Sequence, residues 1–286
     1  MADPVSATFN TSDGCEIAYS VHPAPGKPRL ALIHSLALDR SVWNDVVKAL
    51  DGRAEILTYD CRGHGRSGRK AGTYTCGQFV DDLAQLLDHL GWPAAAVAGC
   101  SMGGCIAQAF AARYAPRTSA ACFIDTTAWY GAEAPMQWRE RAAIARTRGL
   151  AALIDFQVTR WFSDGFRASR PDVVEPLKIV FLANDIACYQ STCEMLGDAD
   201  LRPLLPAITS PVSIVVGDED YATTVDMAKA LHAAIPHSTL TVLAGARHIT
   251  PVERPADIAR RIRDLLDSSE AQPGIRNTGA GSRRNA

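Results

Sequence analysis

The sequence has no apolar run long enough to span a bilayer, which excludes a helical membrane span. It has no excess of one charge: 29 Lys and Arg stand against 31 Asp and Glu, for a formal net charge of −2. A near-neutral chain is a poor partner for nucleic acid or an anionic membrane. It has no Cys-x-x-Cys pair. Its eight cysteines, at 15, 61, 76, 100, 105, 122, 188 and 193, are scattered and mostly apolar in context. They read as reduced, buried residues, and neither a disulfide framework nor a zinc site is expected. The start, Met1-Ala2-Asp3-Pro4, lacks a basic segment followed by an apolar one. No secretory signal is therefore read there, and a cytoplasmic location is expected. There are no internal repeats.

What the chain does have is 286 residues with ordinary apolar content. That suits one large domain with an insertion better than two equal ones. Its focal stretch is Val97-Ala98-Gly99-Cys100-Ser101-Met102-Gly103-Gly104. A small apolar run, 94–98, precedes it as a strand, and 105–110 follows as a buried helix. Gly-x-Ser-x-Gly between strand and helix is a nucleophile elbow. The turn is tight, so the residues two away from the serine must be small. The helix beginning there aims free N–H groups and its positive dipole end at the site.

The elements around the elbow alternate. Residues 7–10 and 16–22 flank Ser12-Asp13-Gly14 as a hairpin. A strand over 29–34 is apolar on both faces, as in a parallel sheet. Ser41 is positioned to cap a helix over 42–50. A strand over 54–59 ends in the glycine-rich loop 60–68. Thr75 starts a helix with Phe79, Leu83, Leu86, Leu87 and Leu90 on one face, ended by Gly91 and Pro93. A strand over 121–124 ends at Asp125. Then the alternation stops: 129–205 holds helical patterns rich in Trp, Arg and Ala and no strand. Strands resume at 212–216 and 240–243, with helices over 225–235 and 255–266. The composition of 268–286, rich in Ser, Gly, Asn and Arg, predicts a disordered tail. The reading is an α/β fold with a mostly parallel sheet, helices on both faces and an inserted helical cap. Its parts are a core over 1–126 and 206–267, a cap over 127–205 and the tail.

A serine hydroxyl needs a base, and the base needs a carboxylate to orient it. In this fold the chain order is Ser, acid, His. Ser101, Asp220 and His248 meet that order, each just past a strand's carboxyl end. His34 precedes the elbow and His64 lies in the glycine-rich loop; both are assigned to loop geometry. Asp125 is the rival acid, because it too ends a strand, and Asp218 and Glu219 are read as a solvated turn. Two N–H donors must face the developing oxyanion. Met102, after the nucleophile, and Leu36, in the loop after the first parallel strand, are the candidates. No set of His, Cys and carboxylate has metal-ligand spacing near the elbow, so neither metal nor cofactor is expected.

From about 29 to 266 the chain resembles a capped α/β-hydrolase. Within that fold it resembles the 3-oxoadipate enol-lactonases of bacterial aromatic catabolism. The shared residues are His34-Ser35-Leu36 with Trp43, the run from Asp60 to Ser67, and Gly99 to Gly104. Narrower signals lie in the cap: Arg160-Trp161-Phe162, Phe166-Arg167, Ala183-Asn184-Asp185, Tyr189, Cys193 and 198–202. The likeness implies a triad of Ser101, Asp220 and His248. Two departures stand out. The family usually has glycine where this chain has Ala37, and small residues where it has Trp129-Tyr130.

Trp43, Trp129, Tyr130, Trp138 and Trp161 are the candidates to line a substrate cavity; for the cap aromatics, packing on the sheet is the alternative. Among the cap arginines 139, 141, 146, 148, 160, 167 and 170, one is a candidate partner for a substrate carboxylate. The expected partner is a small molecule, a carboxylated lactone or ester, and oligomeric state is left open. Alternatives on the same triad are a carboxylesterase, a carbon–carbon hydrolase or a perhydrolase. A non-catalytic small-molecule binder is the alternative of another class.

Overall fold

The computed structural model describes residues 3–270. Strands β1 (Val5–Asn10) and β2 (Glu16–His22) form an antiparallel hairpin around Gly14, whose φ of 80° suits a residue without a Cβ. β3 (Arg29–Ile33) and β4 (Glu55–Tyr59) are parallel neighbours, and β2 pairs antiparallel with β4. β5 (Ala95–Cys100), β6 (Thr118–Ile124), β7 (Val212–Gly217) and β8 (Ser238–Leu243) continue the parallel sheet. The order is β1-β2-β4-β3-β5-β6-β7-β8. Strands β5 and β7 are buried along their whole length, which explains their unbroken apolar sequence.

Helices α1 (Asn44–Leu50), α2 (Cys76–His89) and α3 (Met102–Arg113) lie between the early strands. α2 starts as expected: Thr75 and Gln78 form a reciprocal capping box. Ser41 does not cap α1. Asp39 instead accepts the Ser41 N–H and hydroxyl, and a tight turn over Arg40–Trp43 precedes the helix. A carboxylate is the stronger acceptor for free N–H groups at a helix start.

Between β6 and β7 no residue joins the sheet. Helices α4 (Ala134–Arg148), α5 (Ile154–Trp161), α6 (Asp164–Ser169), α7 (Pro171–Leu182) and α8 (Ile186–Asp198) fill this stretch. An isolated bridge between Trp129 and Asp200 ties its two ends. α9 (Val225–Ala234), α10 (Thr250–Glu253) and α11 (Pro255–Glu270) complete the chain. α1 packs on α11 and α2 on α3, so the sheet is sandwiched between two helical layers. The tail boundary needs correction: 268–270 continue α11, because the Ser268 and Ser269 hydroxyls bond back to Leu265 and Leu266 carbonyls. The rest of the expected tail, 271–286, lies outside the described residues.

Candidate active site

The elbow carries backbone strain. Ser101 has φ 55° and ψ −115°, a conformation side chains rarely adopt. A Cβ on Gly99 would collide with the Gly103 carbonyl, and one on Gly103 with the Ile33 carbonyl. The two glycines are thus required by close backbone approach. α3 begins at Met102, where first-turn N–H groups lack acceptors in their own helix.

Ser101 Oγ lies 2.8 Å from His248 Nε2, and His248 Nδ1 lies 2.8 Å from Asp220 Oδ2. All three residues are buried. Asp220 Oδ1 accepts the N–H groups of Ala222 and Thr223, at 2.7 and 2.9 Å. Thr223 Oγ1 donates to Asp220 Oδ2 at 2.8 Å. Burial pushes the Asp220 carboxyl up, but His248 and the Thr223 bonds outweigh it and hold it below its ordinary value. An ionised Asp220 fixes the proton on Nδ1, which leaves Nε2 to accept from the serine. Thr223 had no motif to announce it; its role follows from the turn after Asp220.

The rival groups serve elsewhere. Asp125 accepts Thr250 N–H and hydroxyl, at 2.9 and 2.7 Å, and the Gly217 N–H. Burial and the nearby Asp220 charge raise its carboxyl well above the usual range. His34 Nε2 accepts the Cys61 N–H at 2.9 Å, while Nδ1 lies 2.7 Å from the Ser35 carbonyl. Nδ1 of His64 bonds the Arg62 carbonyl, and its ring meets His34 at 5.2 Å. Burial lowers both imidazoles, to about 4 and about 3.

Above the serine is a narrow, partly open cavity of about 20 Å³, room for one water. Leu36, Ser101, Thr223 and His248 form its floor; Tyr130, Trp138 and Trp161 form part of its roof. Trp43 and Trp129 are not there. Trp43 is fully buried in the hydrophobic core. Trp129 faces an outer groove, with the Arg202 guanidinium 3.8 Å from its ring centre. Trp129 lines the outer groove alone while Tyr130 lines both groove and cavity, a split that the sequence pair Trp129-Tyr130 does not reveal.

The remaining roof residues are polar. Arg141 and Arg160 reach the cavity, and the other cap arginines do not line it. Nε of Arg141 donates to Tyr189 OH at 2.7 Å, with the guanidinium 4.9 Å from the Trp138 ring. Arg160 has no carboxylate partner among the described residues; it sits 5.3 Å from the Phe156 ring. Burial and Arg141 lower it to about 10. Gln157, buried, has an amide nitrogen with no hydrogen-bond partner among the described residues. No sequence motif marks this glutamine. Among the described residues no cluster of His, Cys and carboxylates is placed to hold a metal ion, and no helix is long and apolar enough to cross a membrane.

The family model for the alpha/beta hydrolase fold matches residues 28–255. The chain belongs to the α/β-hydrolase family. It is 36% identical over 245 residues to 3-oxoadipate enol-lactonase 2 of Acinetobacter baylyi, covering 86% of this chain and 91% of that one. Among solved structures, the enol-lactonase of Burkholderia xenovorans LB400 superposes with a TM-score of 0.87. It is 34% identical, over 91% of this chain and 100% of that chain. A thermophilic esterase from Thermogutta terrifontis gives 0.84 at 28% identity, over 94% and 99%. This hydrolase therefore sits among both lactonases and esterases.

Proposed function

We propose that this hydrolase opens a small carboxylated lactone, most simply a 3-oxoadipate enol-lactone, through an acyl-enzyme on Ser101. The observation that carries the carboxylate is Arg160: a half-buried cation on the cavity wall without an acidic partner among the described residues. A cation partly withdrawn from water with no counterion favours an anionic ligand. Arg141 and the unpaired Gln157 amide add donors beside it. The identity to enol-lactonases supports the same substrate class. The two-part organisation is read as a core over 1–126 and 206–267 under a cap over 127–205, with the cap supplying these donors.

In this mechanism Ser101 Oγ attacks the lactone carbonyl as His248 Nε2 takes its proton. The N–H groups of Leu36 and Met102 hold the oxyanion. Collapse breaks the ring C–O bond and expels an enolate oxygen, which receives the proton from His248. The enol becomes a ketone, so the ring does not readily re-form. His248 then takes a proton from water, whose oxygen attacks the acyl-enzyme, and returns it to Ser101 Oγ as that bond breaks. Asp220 holds the ring tautomer throughout.

The test compares kcat/KM for an enol-lactone carrying a free carboxylate with that for its methyl ester. A charge-assisted contact gives the acid an advantage of roughly 10- to 150-fold. Arg160→Ala should erase that advantage and leave the methyl ester's rate nearly unchanged. A ratio near one in the native enzyme would refute the carboxylate subsite while leaving the triad standing.

A further inference from the structure

A cavity of about 20 Å³ is too small for an ester or lactone, so part of its wall must shift to admit one. The walls differ in how they are held. On α5, the Trp161 carbonyl accepts the N–H groups of His248 and Ile249, at 3.2 and 3.0 Å. Arg247 donates to the Thr159 and Phe162 carbonyls, at 2.9 and 3.2 Å. Glu253 accepts the N–H groups of Ser163 and Arg247, at 3.0 and 2.8 Å. Displacing α5 would therefore drag the histidine loop and undo the triad. Trp138 and Arg141 stand on α4, which is tied to α8 by Arg139–Asp198 and Arg141–Tyr189. α8 is tied in turn to the core region, where Ser191 bonds the Gly72 carbonyl at 2.7 Å.

Tyr130 has no comparable ties. Among the described residues its hydroxyl meets only the Cys105 thiol, at 4.0 Å, and its ring lies edge-on to Trp138 at 5.4 Å. Trp129 before it is pinned by the Asp200 bridge and Arg202. Gly131 after it has φ 102° with open space around the position of a Cβ. Behind the ring lies an apolar groove of about 450 Å³, built on Leu205, Met227, Ala230, Leu231 and Ala234. Tyr130 lines both spaces. Thr223 lines the inner one and Thr224 the outer.

We propose that Tyr130 is a movable partition between the Ser101 cavity and the outer groove, and that it sets substrate length. The groove is the access route to Ser101. It is also a latent subsite for the hydrocarbon end of a longer ester, which the tyrosine ring denies to the native enzyme. The proposal rests on the serine-hydrolase reading above.

The test measures kcat/KM for p-nitrophenyl acetate and octanoate in the native enzyme, Tyr130→Phe, Tyr130→Ala and Tyr130→Ala with Ala230→Trp. Tyr130→Ala should raise the octanoate-to-acetate ratio about 10-fold or more, since each added methylene then finds apolar surface. Tyr130→Phe keeps the partition and should keep the ratio. Ala230→Trp fills the groove and should cancel the gain. Ala230→Trp alone, which leaves Tyr130 in place, should lower kcat/KM for acetate about 5-fold or more by narrowing the route. An unchanged ratio in a folded Tyr130→Ala that still turns over acetate overturns the partition. Undiminished acetate turnover in Ala230→Trp overturns the access route. If the native enzyme forms no acyl-enzyme on Ser101, the hydrolase reading falls and takes this proposal with it.

Discussion

The Asp125 carboxylate grips Thr250, two residues beyond His248, and does not touch the histidine ring. Asp220 alone of the two strand-end acids bonds Nδ1. Both side chains are buried and both follow parallel strands, yet one bonds Thr250 and the other bonds His248 Nδ1. Asp220→Asn should therefore lower kcat by about 10⁴-fold with the fold intact. Asp125→Asn should cost far less activity and show its effect as a lower melting temperature. Parallel kcat and thermal-melt measurements decide it; a dead Asp125→Asn beside an active Asp220→Asn would reverse the assignment.

Ser101 is the only serine in bonding contact with His248 among the described residues. Ser101→Ala should reduce kcat by about 10³-fold or more, leaving what binding and the oxyanion donors supply. Mass spectrometry after a serine-directed phosphonate should find one adduct, on Ser101. A label on another residue would sink the assignment.

Ala37 has φ 58°, in the left-handed region that L side chains enter at a cost of about 1–2 kcal/mol. This is where the resemblance leads one to expect glycine. The Ala37 carbonyl accepts the Asn184 amide at 2.8 Å, which holds the loop to the end of α7. Ala37→Gly should relieve the strain, offset in part by the greater freedom of glycine in the unfolded chain. The net gain is expected to be about 0.5–1 kcal/mol, read from urea midpoints at constant m. A lower midpoint would show that the strain is smaller than the entropy it replaces.

His34 and His64 are held neutral by burial, with values depressed to about 4 and about 3. Between those values and the ordinary 6.5, the unfolded chain binds more protons than the folded one. Stability should therefore fall as pH drops from 6.5 toward 5, by up to about 1.4 kcal/mol per pH unit for each ring. Above about pH 7 this contribution is flat. His64→Asn keeps a donor near Nδ1 and removes one titrating ring, so its melting temperature should fall less steeply over the same window. Equal slopes for the two proteins would contradict the assignment.

The sequence by itself determined the sheet and the order in which Ser101, Asp220 and His248 follow its strands. Unbroken apolar strands suit the inside of a parallel sheet, and Gly99-x-Ser101-x-Gly103 between a strand and a helix reads as an elbow, where any larger neighbour would strike backbone. These are local constraints, written in adjacent residues. The order Ser101, Asp220, His248 is legible for the same reason: each sits just beyond a strand it can be counted from. The roof of the cavity is another matter. Trp43 packs in the core and Trp129 faces the outer groove, while Gln157, without any motif, comes to the wall beside Arg160. Helical faces in an insertion are set by how the helices pack on one another and on the histidine loop, and a tryptophan suits core, groove or cavity equally well. Only the tertiary structure decided which arginines line the cavity with the serine, and that one tyrosine lines both cavity and groove, because both depend on contacts between segments far apart in the chain.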